Sequence, residues 1–153
     1  MTELVAIQDR YADEYAHCYG CGRLNKDGLK LKSYEDGDET VCRLTIDPKY
    51  SGGYPGFLYG GMIASLMDCH GAATAWAAKA RMIQQGPSRF VTASLKVDFR
   101  APTPTNAEVE VRGKVSEIKG RKVVVDLTLT VGGKLCAEGS AVMVEIPINK
   151  QEG

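Results

Sequence analysis

Gly53 to Met82 reads GYPGFLYGGMIASLMDCHGAATAWAAKARM. A glycine-rich turn runs into a long segment that is apolar on almost every side from Met62 to Ala78. A helix that is apolar all round is buried, not laid on a surface. One acid, Asp68, sits well inside it. Burying a carboxylate without a partner is expensive. Asp68 is therefore either bonded to a nearby backbone or hydroxyl group, or placed there for chemistry. The segment is not a membrane span. It is too short, contains Asp68 and His70, and ends in Lys79 and Arg81.

Outward from the helix, the chain reads as short strands. Leu29 to Tyr34 and Thr40 to Ile46 flank the Asp36-Gly37 turn, a hairpin signal because such turns need positive φ. After the helix, which fades near Gln84-Gln85-Gly86-Pro87, Val91, Ala93, Leu95, Val97 and Phe99 alternate with polar residues. That alternation marks a half-buried strand with its odd residues toward the helix. Ala107 to Ile118, Val123 to Val131 and Leu135 to Ile146 follow, separated by the Lys119-Gly120 and Gly132-Gly133 turns. The order is two strands, one helix, then four strands. A mostly antiparallel sheet of about six strands can bury one helix only by curling around it. Leu4, Ile7, Tyr11 and Tyr15 recur at helical spacing and predict a short N-terminal helix within residues 1–16. Residues 147–153 read as a loose tail.

At 153 residues the chain is expected to be one domain, 1–153, with a real core. Nineteen basic and nineteen acidic residues leave no net charge, which argues against a nucleic-acid partner. The N-terminus lacks the apolar run of a signal peptide, and no membrane partner is expected. Five cysteines, an odd number, suit free thiols in a reducing, cytoplasmic setting. His17, Cys18 and Cys21 hint at zinc, but no second Cys/His pair at short spacing completes four ligands, so no metal is expected. His70 lies two residues after Asp68 and does not share its helix face. It reads as a packed, hydrogen-bonded core histidine.

Three segments carry a family resemblance: CYGCGRLNKDGLKLKSY, YPGFLYGGMIASLMDCHG and VTASLKVDFRAPTP. In this order they resemble the hotdog-fold acyl-CoA thioesterases, in particular the phenylacetate-pathway and human mitochondrial thioesterase-superfamily branch. The likeness covers roughly residues 17 to 146. It implies an α+β hotdog fold, hydrolysis of an acyl-CoA thioester, no cofactor, and a homodimer or homotetramer with sites built from two subunits. The family motif is His-Gly-Gly with an acid nine positions after the His. Here Gly60-Gly61 and Asp68 match, but Tyr59 stands where the His would be, and Gly53 where some members carry Asn. Thr92 matches a water-positioning Ser or Thr of the post-helix strand.

Thioester hydrolysis needs an activated water and a stabiliser for the oxyanion. Asp68 is the candidate base or nucleophile. Gly60 and Gly61 offer backbone N–H groups at a helix start, as in an oxyanion hole; a plain glycine turn is the alternative. Tyr59 either donates its hydroxyl to the carbonyl or fills space at the rim. A phenol donates but is no base at neutral pH. Strict alternation places Thr92 on the face away from the helix, so its role requires access from the strand end or a partner subunit. Arg100, Arg121, Lys122 and Arg89 are candidate contacts for the CoA phosphates, each also readable as a solvated surface charge. Two other functions compete: a non-hydrolytic acyl-CoA or fatty-acyl binding protein, motivated by Tyr59 and Gly53, and a hotdog dehydratase or hydratase, whose Asp/His pair Asp68 and His70 do not match in spacing.

Overall fold

The computed structural model describes residues 4–83 and 89–147. The expected end of the helix at 84–87 and the tail from 148 lie outside them. A single antiparallel sheet holds six strands: β1 (Tyr34–Asp36), β2 (Glu39–Thr45), β3 (Arg89–Phe99), β4 (Glu108–Lys119), β5 (Lys122–Val131) and β6 (Lys134–Ile146). Their spatial order is β1-β2-β4-β5-β6-β3. The sheet curls around α1 (Gly60–Met82), giving the hotdog architecture. The helix touches every strand from β2 to β6.

Alternation explains how the sheet grips the helix. Val109 and Val111 of β4, Val123, Val125, Leu127 and Leu129 of β5, and Ala137, Ala141 and Met143 of β6 are all buried. They meet Met62, Ile63, Leu66 and Met67 of α1 in one apolar cluster. Gly113 of β4 sits where the helix comes closest. A Cβ there would lie 2.5 Å from Thr74 Oγ1 and 2.9 Å from Thr40 Oγ1.

Two elements differ from the expectations. In place of one N-terminal helix there are two 3₁₀ turns, Ile7–Arg10 and Asp13–Tyr15. Ile7 is buried against Ala73, Trp76 and Ala77, whereas Leu4 is exposed. The helical spacing of apolar residues reflected two separate contacts with α1, not one amphipathic face. The first strand also starts at Tyr34 and not at Leu29. Leu29 N–H donates to the Tyr19 carbonyl and Leu31 N–H to the Gly20 carbonyl, so this run pairs with the preceding loop and not with the sheet.

Among the described residues the buried polar side chains, Thr103 apart, form one chain. Gln8 Nε2 donates to Ser33 Oγ at 3.0 Å, and Ser33 Oγ lies 2.8 Å from His70 Nδ1. His70 Nε2 lies 2.9 Å from Thr40 Oγ1, which lies 2.6 Å from Thr74 Oγ1. Thr74 Oγ1 donates to the His70 carbonyl at 2.8 Å. Each hydroxyl has one proton to give. The chain closes when Ser33 donates to Nδ1 of a neutral imidazole and its Nε2–H donates to Thr40. His70 is thus a structural bolt joining the N-terminal turns, α1 and β2, and the Asp68–His70 pairing that a hydratase needs is absent.

Burial holds the His70 imidazole down at about 4, against 6.5 for the free side chain, and the charge of Arg112 adds to this. The folded pKa lies below the unfolded one, so the unfolded chain takes up the proton first. The stability this supplies is present above pH 6.5 and lost as pH falls through 4. The full effect is about 3 kcal/mol. Thermal melts should show stability dropping between those limits, and His70→Gln should flatten that slope.

Candidate active site

Asp68 emerges on the side of α1 that β3 crosses, and its carboxylate is partly buried. Thr92 Oγ1 donates to Asp68 Oδ1 at 2.5 Å. Strict alternation would have turned Thr92 away, and a β-bulge is the reason it does not. Thr92 pairs with Met143 and Ser94 with Val142, so Ala93 is an extra, unpaired residue. An extra residue shifts the parity of the strand. Beyond the bulge, Phe90 and Thr92 join Leu95 and Val97 on the helix side. Phe90, Leu95 and Val97 all pack on the core cluster.

Asp68 and Thr92 lie on the wall of a cavity of about 430 Å³. Asp68, Ala72 and Trp76 line it at successive helix turns, faced by Tyr11 and Phe90. Tyr11 and Trp76 meet edge to face with centroids 5.4 Å apart. Burial pushes the Tyr11 phenol well above its ordinary value, so it stays neutral. The cavity therefore has an acid at one end and an aromatic lining at the other. Sequence reading missed Tyr11 and Phe90 as wall residues. Of the bulky apolar helix residues Met62, Leu66, Met67 and Trp76, each readable from sequence as pocket lining or core, Trp76 lines the cavity and the other three are buried in the core cluster.

The rest of the wall is the loop that carries Cys18 and Cys21. It folds tightly on itself. Gly22 N–H donates to the Cys18 carbonyl at 2.8 Å and Leu24 N–H to the Ala16 carbonyl at 3.0 Å. A Cβ on Gly22 would lie 2.4 Å from the Cys18 nitrogen and 2.6 Å from the Ala16 oxygen. This presses the loop against Cys69 of α1, where Cys18 Sγ and Cys69 Sγ are 3.7 Å apart.

Gly60 and Gly61 open α1, and Tyr59 is its N-cap residue without a side-chain capping bond. The first N–H groups of a helix have no intrahelical acceptor. The Tyr59 ring lies against Gly61 and is 42% exposed. Gly60 borders a shallow groove with Phe99, Arg100 and Thr103. Seven residues of helix separate Gly61 from Asp68, a rise of about 10 Å. The two parts of the expected site are thus not brought together within one chain.

The candidate phosphate contacts divide in the same way. Arg89 stands at the cavity mouth with its guanidinium over the Tyr15 ring, 5.4 Å from the centroid. Arg89 pairs with Ile146 and Lys122 with Val144, so Arg89, Arg121 and Lys122 share one end of the sheet. Arg100 follows the other end of β3, where its Nε donates to Glu138 at 2.9 Å.

The sequence model of the thioesterase superfamily matches residues 55–138, the span from the glycine turn through the helix to β6. The chain belongs to the thioesterase superfamily. It is 44% identical to a thioesterase superfamily protein from Shewanella loihica PV-4, with a TM-score of 0.69 over 88% of this chain and 98% of that one. The E. coli PaaI protein, 19% identical with a TM-score of 0.63 over 76% of this chain and 78% of that one, shares the fold. Acyl-coenzyme A thioesterase THEM4 of Rattus norvegicus is 32% identical over 77 residues, which is 50% of this chain and 30% of the relative. The Xenopus laevis protein of the same name is 37% identical over 83 residues, 54% of this chain and 33% of its own. The chain thus spans about a third of the length of these curated relatives. No helix among the described residues is long and apolar enough to cross a membrane.

The cavity wall is directly testable. Gly22→Ala should force the cysteine loop off α1, because the clash is with backbone. A stability loss of about 1–3 kcal/mol is expected in urea melts. The buried Cys21 should become open to alkylation, read by mass spectrometry.

Proposed function

We propose that this superfamily member hydrolyses acyl-CoA thioesters, with Asp68 as the acid–base residue and Thr92 as its positioning residue. The observation that carries the reading is the Thr92–Asp68 hydrogen bond on the wall of an aromatic-lined cavity. Thr92 occupies Oδ1 and leaves Oδ2 for a water. The carboxylate takes a proton from that water, and the hydroxide forms a bond to the thioester carbonyl carbon. The tetrahedral oxyanion then collapses, the C–S bond breaks, and the carboxylic acid returns its proton to the departing CoA sulfur. Trp76, Tyr11 and Phe90 suit an apolar or aromatic acyl group held past Asp68.

The oxyanion needs donors close to the carbon that Asp68 serves. Gly60 and Gly61 of the same helix are about 10 Å too far along its axis. Those of a second copy meet the need if two subunits join along β3. β3 is an 11-residue edge strand with one side unpaired in the sheet order, and Phe99 and Val91 on it are 55% and 38% exposed. Long bare edges require pairing or protection. An antiparallel β3–β3 pairing would also bring Arg100 of one subunit toward the Arg89 end of the other, collecting cations for the CoA phosphates. We therefore propose a homodimer, alone or within a homotetramer.

Thiol release from a panel of acyl-CoAs tests the reaction. Asp68→Asn should lower turnover about 10²–10⁴-fold with the fold intact. Thr92→Val should cost about 10–100-fold, the value of a hydrogen bond to a charged group. Wild-type protein that binds acyl-CoA without turning it over would instead establish the binding reading. Separately, Ala72→Leu narrows the cavity between Asp68 and Trp76. It should shift the preferred acyl group to shorter chains, raising KM for long ones while short-chain kcat is kept.

A further inference from the structure

Three thiols that this chemistry does not use converge beside Asp68. Cys18 and Cys21 come from the loop, and Cys69 from α1, 51 residues beyond Cys18. Their Sγ atoms all lie within 4.8 Å of one another, and all three cysteines are free. We propose that Cys18, Cys21 and Cys69 bind one zinc ion, with the fourth coordination position open to the cavity. The proposal stands independently of the hydrolytic reading.

Spacing is the first argument. Zinc–thiolate bonds of about 2.3 Å in a tetrahedron place neighbouring sulfurs about 3.8 Å apart. Cys18 and Cys69 already stand at 3.7 Å. The widest separation needs to close by no more than about 1 Å. The three sulfurs are too near one another to surround an iron–sulfur cluster, so the site suits a single ion. Three thiolates favour a soft metal over magnesium or calcium.

The loop is also built for thiolates. Gly20 N–H points at Cys18 Sγ across 3.4 Å. A Cβ on Gly20 would lie 2.5 Å from Cys69 Sγ, so a side chain here would block the approach of loop to helix. Thiols are weak donors and weak acceptors, and three of them gain little by packing together without a cation. Hydrogen bonds from Cys21 and Cys69 pull the Cys18 thiol down, and those same shared bonds, followed by burial, push Cys21 and Cys69 up. Zinc entering the cluster displaces the thiol protons, forms three Zn–S bonds and changes no oxidation state. The fourth side faces the cavity, whose wall includes His17 and Asp68. A water there completes the tetrahedron. The ion would latch the loop to α1 beside Asp68.

The test is made on the reduced, full-length chain reconstituted with zinc and freed of excess. One zinc per chain is expected, with a zinc-edge X-ray absorption spectrum showing three sulfurs at about 2.3 Å. Cobalt in its place should give thiolate charge-transfer absorption. In competition with a chromophoric chelator, Cys18→Ser and Cys69→Ser should each weaken zinc at least about 100-fold, and Cys136→Ser, outside the cluster, should not. The absorption spectrum needs no variant, so a serine variant that fails to fold leaves the test intact. The proposal is overturned by a reconstituted protein without zinc, by a shell of nitrogen and oxygen only, or by a Cys18–Cys69 disulfide that persists in glutathione.

Discussion

A 23-residue helix without a polar face cannot stand in water, and five strands of the sheet are placed to cover it. The sheet covers most of its surface, because alternating strands supply an apolar face of matching length. What the sheet leaves bare is closed by the N-terminal 3₁₀ turns and the cysteine loop, neither of which pairs with a strand. Beside Asp68, Ala72 and Trp76 that cover stands off the helix and leaves a space. The cavity is that shortfall, and the one acid of the helix lies at its edge.

Burial on this scale demands that the polar groups inside be satisfied. Two solutions operate within one turn of the same helix. His70 is bonded at both ring nitrogens and sealed from solvent, which makes it structural. Asp68 is bonded at one oxygen and open to a cavity, which leaves it something to do. Two residues apart in sequence, they point to different sides, and the surroundings of each assign its part.

Much of this was legible in the residues themselves. The all-apolar helix, the turns at Asp36-Gly37, Gly120 and Gly132-Gly133, and the alternating strands specify an antiparallel sheet curled around one helix. Gly60-Gly61 and Asp68 pointed to thioester chemistry through their resemblance to the family motif. Other parts were not legible. Leu29 to Ser33 have strand-like composition, yet the N–H groups of Leu29 and Leu31 found carbonyls in a loop and that of Ser33 the Gln8 side chain. Leu4, Ile7, Tyr11 and Tyr15 have helical spacing, yet only Ile7 and Tyr11 pack on α1, from separate points of a chain broken into two 3₁₀ turns, while Leu4 is exposed.

The residue pattern alone therefore determined the fold class and the buried helix with one acid inside it, because periodicity and burial are local properties of a chain. Tertiary structure decided which groups meet. Thr92 reaches Asp68 only because Ala93 bulges from β3, and a bulge arises from pairing with β6, which strand composition does not record. Cys69 reaches Cys18 and Cys21 only because a glycine-bearing loop packs flat on α1. Both contacts join residues far apart in the chain, and distance in space is set by packing, not by spacing in sequence.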